Sequence, residues 1–284
     1  MLTVDRPPAR HGALAAHLIR YSRYGHATEV AAGGANIWRR HNMRSHGKLL
    51  KLPFTKNPPA LVQAFLQARP NAIIEVAHKG KTLVREDDFA DHSMLFLEGW
   101  VAFSKMLPDG ETQIIDVMLP GDFALVGAAR APVAACSVEA LSDVRNINIR
   151  PGDPNGPEPE MAELREMLSA EIVRTQSRTS ELLLRLGQSS SANRIAYALL
   201  EFYVRLEAVG LTEGACFDFP MTQHKIGEFT GMTNVHVSRT MRRLERDEII
   251  SYPTPGRITL TDLDSLCDIA KIDLNAFRRE ILIQ

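Results

Sequence analysis

The side chains best equipped for directional chemistry crowd into "TNVHVSRTMRRLER", residues 233–246. Asn234 and Arg239 can each offer a bidentate pair of hydrogen bonds to the edge of a nucleic-acid base, and His236 and Ser238 can add single ones. Arg242, Arg243 and Arg246 carry fixed positive charge suited to phosphate, which sets affinity without reading sequence. Such groups work only if a rigid support holds them outward in a fixed order.

The flanking residues supply that support. Thr222 is an N-cap for a helix over "QHKIGEF", with Ile226 and Phe229 facing inward. Gly231 can take the positive φ that ends a helix abruptly. Thr233 caps a second helix, in which Val237, Met241 and Leu244 follow at i, i+4 and i+7 and define one buried stripe. Two helices about a short Gly-containing turn, the second polar and basic from its first turn, form a helix-turn-helix whose second helix fits the major groove of a duplex. "IISYPTPGRITL" (249–260) adds two β runs about Pro-Gly, the form of a wing. Thr222, Gln223 and Thr233, with Arg242, Arg243 and Arg257 at the wing, are the expected phosphate contacts.

The rest of the chain must present this unit. Residues 1–57 are rich in Arg, His, Ala and Gly and hold almost no acid; they read as a disordered basic extension, or as residues ahead of a true start at Met43. Their five histidines (His11, His17, His26, His41, His46) lack metal-ligand spacing. "NPPALVQAFLQARP" is a short helix between prolines, opening a domain over 58–157. From Ala72 to Ile149, short apolar runs alternate with "KG", "PDG" and "PGD" turns, which predicts an antiparallel sandwich or barrel. Gly99 interrupts a strand pattern and marks a bend. After the linker "PGDPNGPEP", a helix over 158–187 carries a seam that includes Leu164, Leu168, Ile172, Thr175, Thr179, Leu182 and Leu186. Steps of three and four favour pairing with a second copy; packing on the chain's own β domain is the alternative, and each can hold for a different segment. Residues 188–284 then form the winged helix-turn-helix. The fold class expected is α+β.

Charge is balanced, with 33 Lys+Arg against 34 Asp+Glu, so nucleic-acid binding has to come from a local basic face. The three cysteines, Cys136, Cys216 and Cys267, show no C-x-x-C spacing and fit a reducing, cytoplasmic setting. No run is long and apolar enough for a membrane span. The β region has His78 and His92 but no H-x-H pair for a cupin metal, and neither a Ser-His-Asp set nor a phosphate loop appears, so the chain does not read as an enzyme.

These motifs together resemble the Crp/Fnr superfamily of bacterial transcription regulators. The resemblance is carried by "LFLEGWVAFSK…PDGETQIIDVMLPGDF", the long helix, "ANRIAYALLEFY" and "TQHKIGEFTGMTNVHVSRTMRRLERDEII". It implies a homodimer with a cyclic-nucleotide-binding-like β-roll and a winged helix that reads a palindromic operator, with half-site centres about 34 Å apart. It also implies RNA polymerase as a partner of the loop 207–215.

Departures from the family pattern narrow the reading. In "GDFALVGAARAPVAACSVEAL" the Gly-Glu-Leu motif is absent, and Ala134 and Ala135 fall about where an Arg-Ser pair would hold a cyclic phosphate. That argues against cAMP, since a phosphate leaving water needs a cation or N–H donors. Gly121, Asp122, Arg130 and Cys136 mark where a pocket for another effector would lie. Residues 1–135 contain no cysteine, which excludes the family's N-terminal iron–sulfur site. No cofactor is expected. Val235 stands where relatives often have a Glu that accepts from cytosine, while Arg239 matches the guanine-reading Arg. The competing expectation is a cyclic-nucleotide- or small-ligand-binding interaction module without DNA-dependent function.

Overall fold

The computed structural model describes residues 59–68, 72–127, 131–149 and 160–282, with backbone alone at 60, 68, 160–165 and 167. The basic N-terminal extension, the linker before the long helix, and Arg130 lie outside the described residues.

Helix α1 (Ala60–Ala68) leads into eight short strands. β1 (Ile74–Ala77), β8 (Val144–Ile149), β3 (Ser93–Glu98) and β6 (Phe123–Leu125) form one antiparallel sheet in the order β1-β8-β3-β6. β2 (Thr82–Val84), β7 (Ser137–Ala140), β4 (Val101–Met106) and β5 (Thr112–Met118) form the other, in the order β2-β7-β4-β5. Strand β3 shows why its sequence is continuously apolar. Met94 and Phe96 enter the core between the sheets, while Leu95 and Leu97 pack with Leu61, Val62 and Phe65 of α1 on the other face. A strand covered on both sides loses its polar alternation. The bend at Gly99 is obligatory: φ is +86°, and a Cβ there would lie 2.1 Å from the carbonyl oxygen of Asp143.

Helix α2 (Glu160–Gln188) runs for 29 residues, about 43 Å. It does not present one seam to one partner. Leu182 is buried, Leu168 packs on the α1 cluster and Leu186 on the C-terminal core. Thr175 also faces inward, accepting from Arg178 at 3.2 Å. Ile172 (44% exposed) and Thr179 point outward with Val173, Leu183 and Leu184. The expected seam is thereby divided: of its six described members, Leu168, Thr175, Leu182 and Leu186 turn toward the chain's own roll and C-terminal core, and Ile172 and Thr179 stay outward. The side chain of Leu164 lies outside the described residues.

Ser190 caps α3 (Ser191–Ala208), followed by β9 (Cys216–Asp218), α4 (Gln223–Thr230), α5 (Asn234–Arg246), β10 (Ile250–Ser251), β11 (Arg257–Leu260), α6 (Leu263–Ala270) and α7 (Leu274–Leu282). The strands make a third antiparallel sheet, β10-β11-β9. Helices α6 and α7 were not foreseen. The tertiary fold also joins two regions that the sequence presents as separate. Trp100, Ile114, Val117 and Leu119 of the roll share one core with α3, α4 and α5, and Trp100 meets Phe202 and Phe219 edge-on at 4.9 and 5.9 Å.

Candidate nucleic-acid interface

The two helices of the motif are locally over-determined. Thr222 and Thr233 have extended backbones, and their hydroxyls accept from the amides of Lys225 (3.2 Å) and His236 (3.4 Å). Each keeps its own O–H free to donate outward. Gly231 adopts φ +64°, and its turn is held from behind: Arg194 donates to the carbonyl of Thr230 at 3.2 Å and Gln113 of β5 donates to that of Phe229 at 3.1 Å. Lys225 bridges Glu228 and Glu139 of the roll at 2.9 and 2.8 Å. The first helix is thus fixed to the roll as well as to its own domain.

That base sets the aim of α5. Val237, Met241 and Leu244 are 0%, 3% and 2% exposed, so the helix has one buried stripe, as the spacing predicts. On the opposite line stand Val235, Arg239, Arg242 and Arg246. With Asn234, Ser238 and Arg243 these residues line an open trough of about 570 Å³. Asn234 and Ser238 flank the line on one side and His236 on the other. Arg243 and Arg246 rest loosely on Asp247 at 3.6 and 3.2 Å. Among the described residues, no carboxylate lies within salt-bridge reach of Arg239 or Arg242. A line of exposed guanidinium groups without matching acids attracts a polyanion.

Two groups of expected site residues have partners that the sequence does not show. Arg257 is the first residue of β11, and acids flank it on both sides, Glu213 at 3.2 Å and Asp218 at 3.4 Å, so its charge is already partly matched within the fold. Among the described residues, Gly121, Asp122 and Cys136 are each engaged by a different neighbour. Gly121 abuts Pro59, Asp122 is bound by Arg205 of α3 and by the amide of Leu119, and Cys136 packs in the inter-sheet core. Burial pushes the Cys136 thiol up to about 11, so it is neutral. Gln223 is exposed at the start of α4, as a phosphate contact requires.

The pattern of the Crp-like helix-turn-helix domain matches residues 193–269, and that of the cyclic nucleotide-binding domain matches residues 74–153. The chain is 31% identical over 181 residues to the transcriptional activatory protein AadR of Rhodopseudomonas palustris, covering 62% of this chain and 72% of that protein. It is 29% identical over 215 residues to the nitrogen fixation regulation protein FixK of Azorhizobium caulinodans, covering 72% of this chain and 84% of that one. The chain belongs to the Crp/Fnr family. The structure of FixK2 from Bradyrhizobium japonicum has the same fold, with a TM-score of 0.63 at 24% identity, over 71% of this chain and 98% of that one. This Crp/Fnr protein is a DNA-binding transcription regulator, and the relatives it matches are regulators rather than enzymes. No helix among its described residues is long and apolar enough to cross a membrane.

Sequence reasoning missed the ionic cluster that joins roll, α2 and α3. Arg178 of α2 and Asp116 of β5 form a buried pair at 3.0 Å, with side chains 4% and 5% exposed. Arg205 of α3 donates to Glu201 at 2.8 Å, to the Val117 carbonyl at 2.8 Å, and to Asp122. Burial pushes Glu201 up to about 7, against the pull of Arg205. The signal available in the sequence was Arg and Glu on helix faces that otherwise read as apolar.

Proposed function

We propose that two copies of this chain pair along the outward face of α2 and read a twofold-symmetric operator, each placing α5 in the major groove. The observation that carries the reading is the line of Arg239, Arg242 and Arg246 opposite the buried stripe of α5. Arg239 would take a guanine, Asn234, His236 and Ser238 the adjoining base edges, and Thr222, Gln223, Thr233, Arg242 and Arg243 the phosphates. Pairing is supported by Ile172, Val173, Leu183 and Leu184, which α2 leaves exposed on its far side.

We expect the regulator to work without cAMP and without an iron–sulfur cluster. Where a cyclic phosphate would need donors, the Ala134 amide donates to the Asp88 carbonyl, and Lys105 is bound to Glu86 at 2.5 Å and to the Ala135 carbonyl at 2.7 Å. Reading chromosomal DNA places the protein in the cytoplasm, and the loop 207–215 beside the winged helix is the surface offered to RNA polymerase. Selection of genomic fragments by the purified chain, with no ligand added, tests the whole reading. A palindrome is expected, and Arg239→Ala should lose it with the fold unchanged. Recovery of fragments without common sequence would refute it.

A further inference from the structure

Val235 is the anomaly on the reading face. It occupies the first turn of α5, stands in line with Arg239, Arg242 and Arg246, and is 65% exposed. It adds nothing to the buried stripe, yet it lines the same trough as Arg239. An isopropyl group held at the front of a cationic face gains from contact only if the surface it meets is apolar. The floor of the major groove is almost entirely donors and acceptors, and its apolar group is the 5-methyl of thymine. A guanine, adenine or cytosine edge set against Val235 would lose water without a partner in exchange.

Spacing ties this contact to the one made by Arg239. Residues four apart share a helix face and are displaced by about 6 Å along the axis. Successive bases rise by about 3.4 Å. We infer that Val235 reads a thymine methyl, so that each half-site carries a T·A pair within about two base steps of the guanine taken by Arg239. The inference rests on the proposed docking of α5 and adds the identity of a second base pair.

The test uses the full chain and the operator it selects from a random duplex pool. Each thymine near the Arg239 guanine is replaced in turn by deoxyuridine, which removes the methyl and keeps every hydrogen-bonding group. One such position per half-site should weaken wild-type binding about fourfold, the effect of one buried methyl. Val235→Ala, with its shorter apolar side chain, should show a smaller preference for thymine over uracil. Val235→Glu should move the preference at that pair to C·G, because a carboxylate accepts from the cytosine amino group. Equal wild-type binding to the two duplexes, or an undiminished thymine preference in Val235→Ala, overturns the inference. Arg239→Ala distinguishes the two levels. If it abolishes operator binding while uracil is neutral, only the thymine contact falls; if it leaves operator binding intact, the docking of α5 falls with it.

Discussion

The arginines of α5 and those of α2 and α3 are the same residue put to opposite uses. On α5, Arg239 and Arg242 stand in solvent with no carboxylate in reach among the described residues, so their charge faces an external partner. Arg178 and Arg205 are 4% and 6% exposed and each is matched to acids, so their charge is consumed inside the protein. For Arg178, burial works against the charge, but Asp116 and Asp122 outweigh it and keep the guanidinium protonated. The difference is one of solvation. An exposed cation keeps its water until a phosphate or base replaces it, whereas a buried cation has to be paired before the chain will fold around it. The first group can be removed without harm to the fold, whereas a member of the second cannot be removed alone.

The sharpest way to break this contrast is Arg178→Ala, which leaves Asp116 buried without its partner. A loss of about 3–5 kcal/mol in unfolding free energy is expected, read by denaturant titration. Pairing Asp116→Leu with Arg178→Met should recover much of it, because an apolar pair needs no compensation. A smaller effect comes from Glu201. Its folded pKa, about 7, lies above its ordinary value of 4.5, so the folded protein holds a proton that the unfolded chain has released. That stability is complete below about pH 4.5 and is lost as pH rises toward 7, with a slope of at most about 1.4 kcal/mol per pH unit. Glu201→Gln should flatten that part of the stability profile; an unchanged slope would mean that Glu201 is already ionised in the fold. The mildest change in stability belongs to α5. Replacing Arg242 and Arg243 by Gln should leave unfolding within about 0.5 kcal/mol. The same substitutions should lower the slope of log binding constant against log salt by about 0.9 for every phosphate contact removed.

The helix-turn-helix was legible from the sequence because its determinants are local. Thr222, Gly231 and Thr233 fix where the two helices start and stop, and the steps from Val237 to Met241 and Leu244 fix which side is buried. The same spacing places Arg239 on the outer face. Strand boundaries in the roll were legible for the same reason, from turn residues between short apolar runs.

What only the tertiary structure decided are the properties that depend on a distant partner. Leu168, Ile172, Thr175, Thr179 and Leu182 look like one seam in the sequence, but the roll and the C-terminal core cover some of them and leave the others exposed. Arg257 looks like a free wing cation until the fold sets Glu213 and Asp218 beside it. Asp122 looks like a pocket residue until α3 delivers Arg205. The spacing of a helix or turn is written in adjacent residues, because backbone hydrogen bonds and caps act over a few positions. Whether a charge is free or a leucine is covered depends on segments far away in the chain, and here packing brought those segments together.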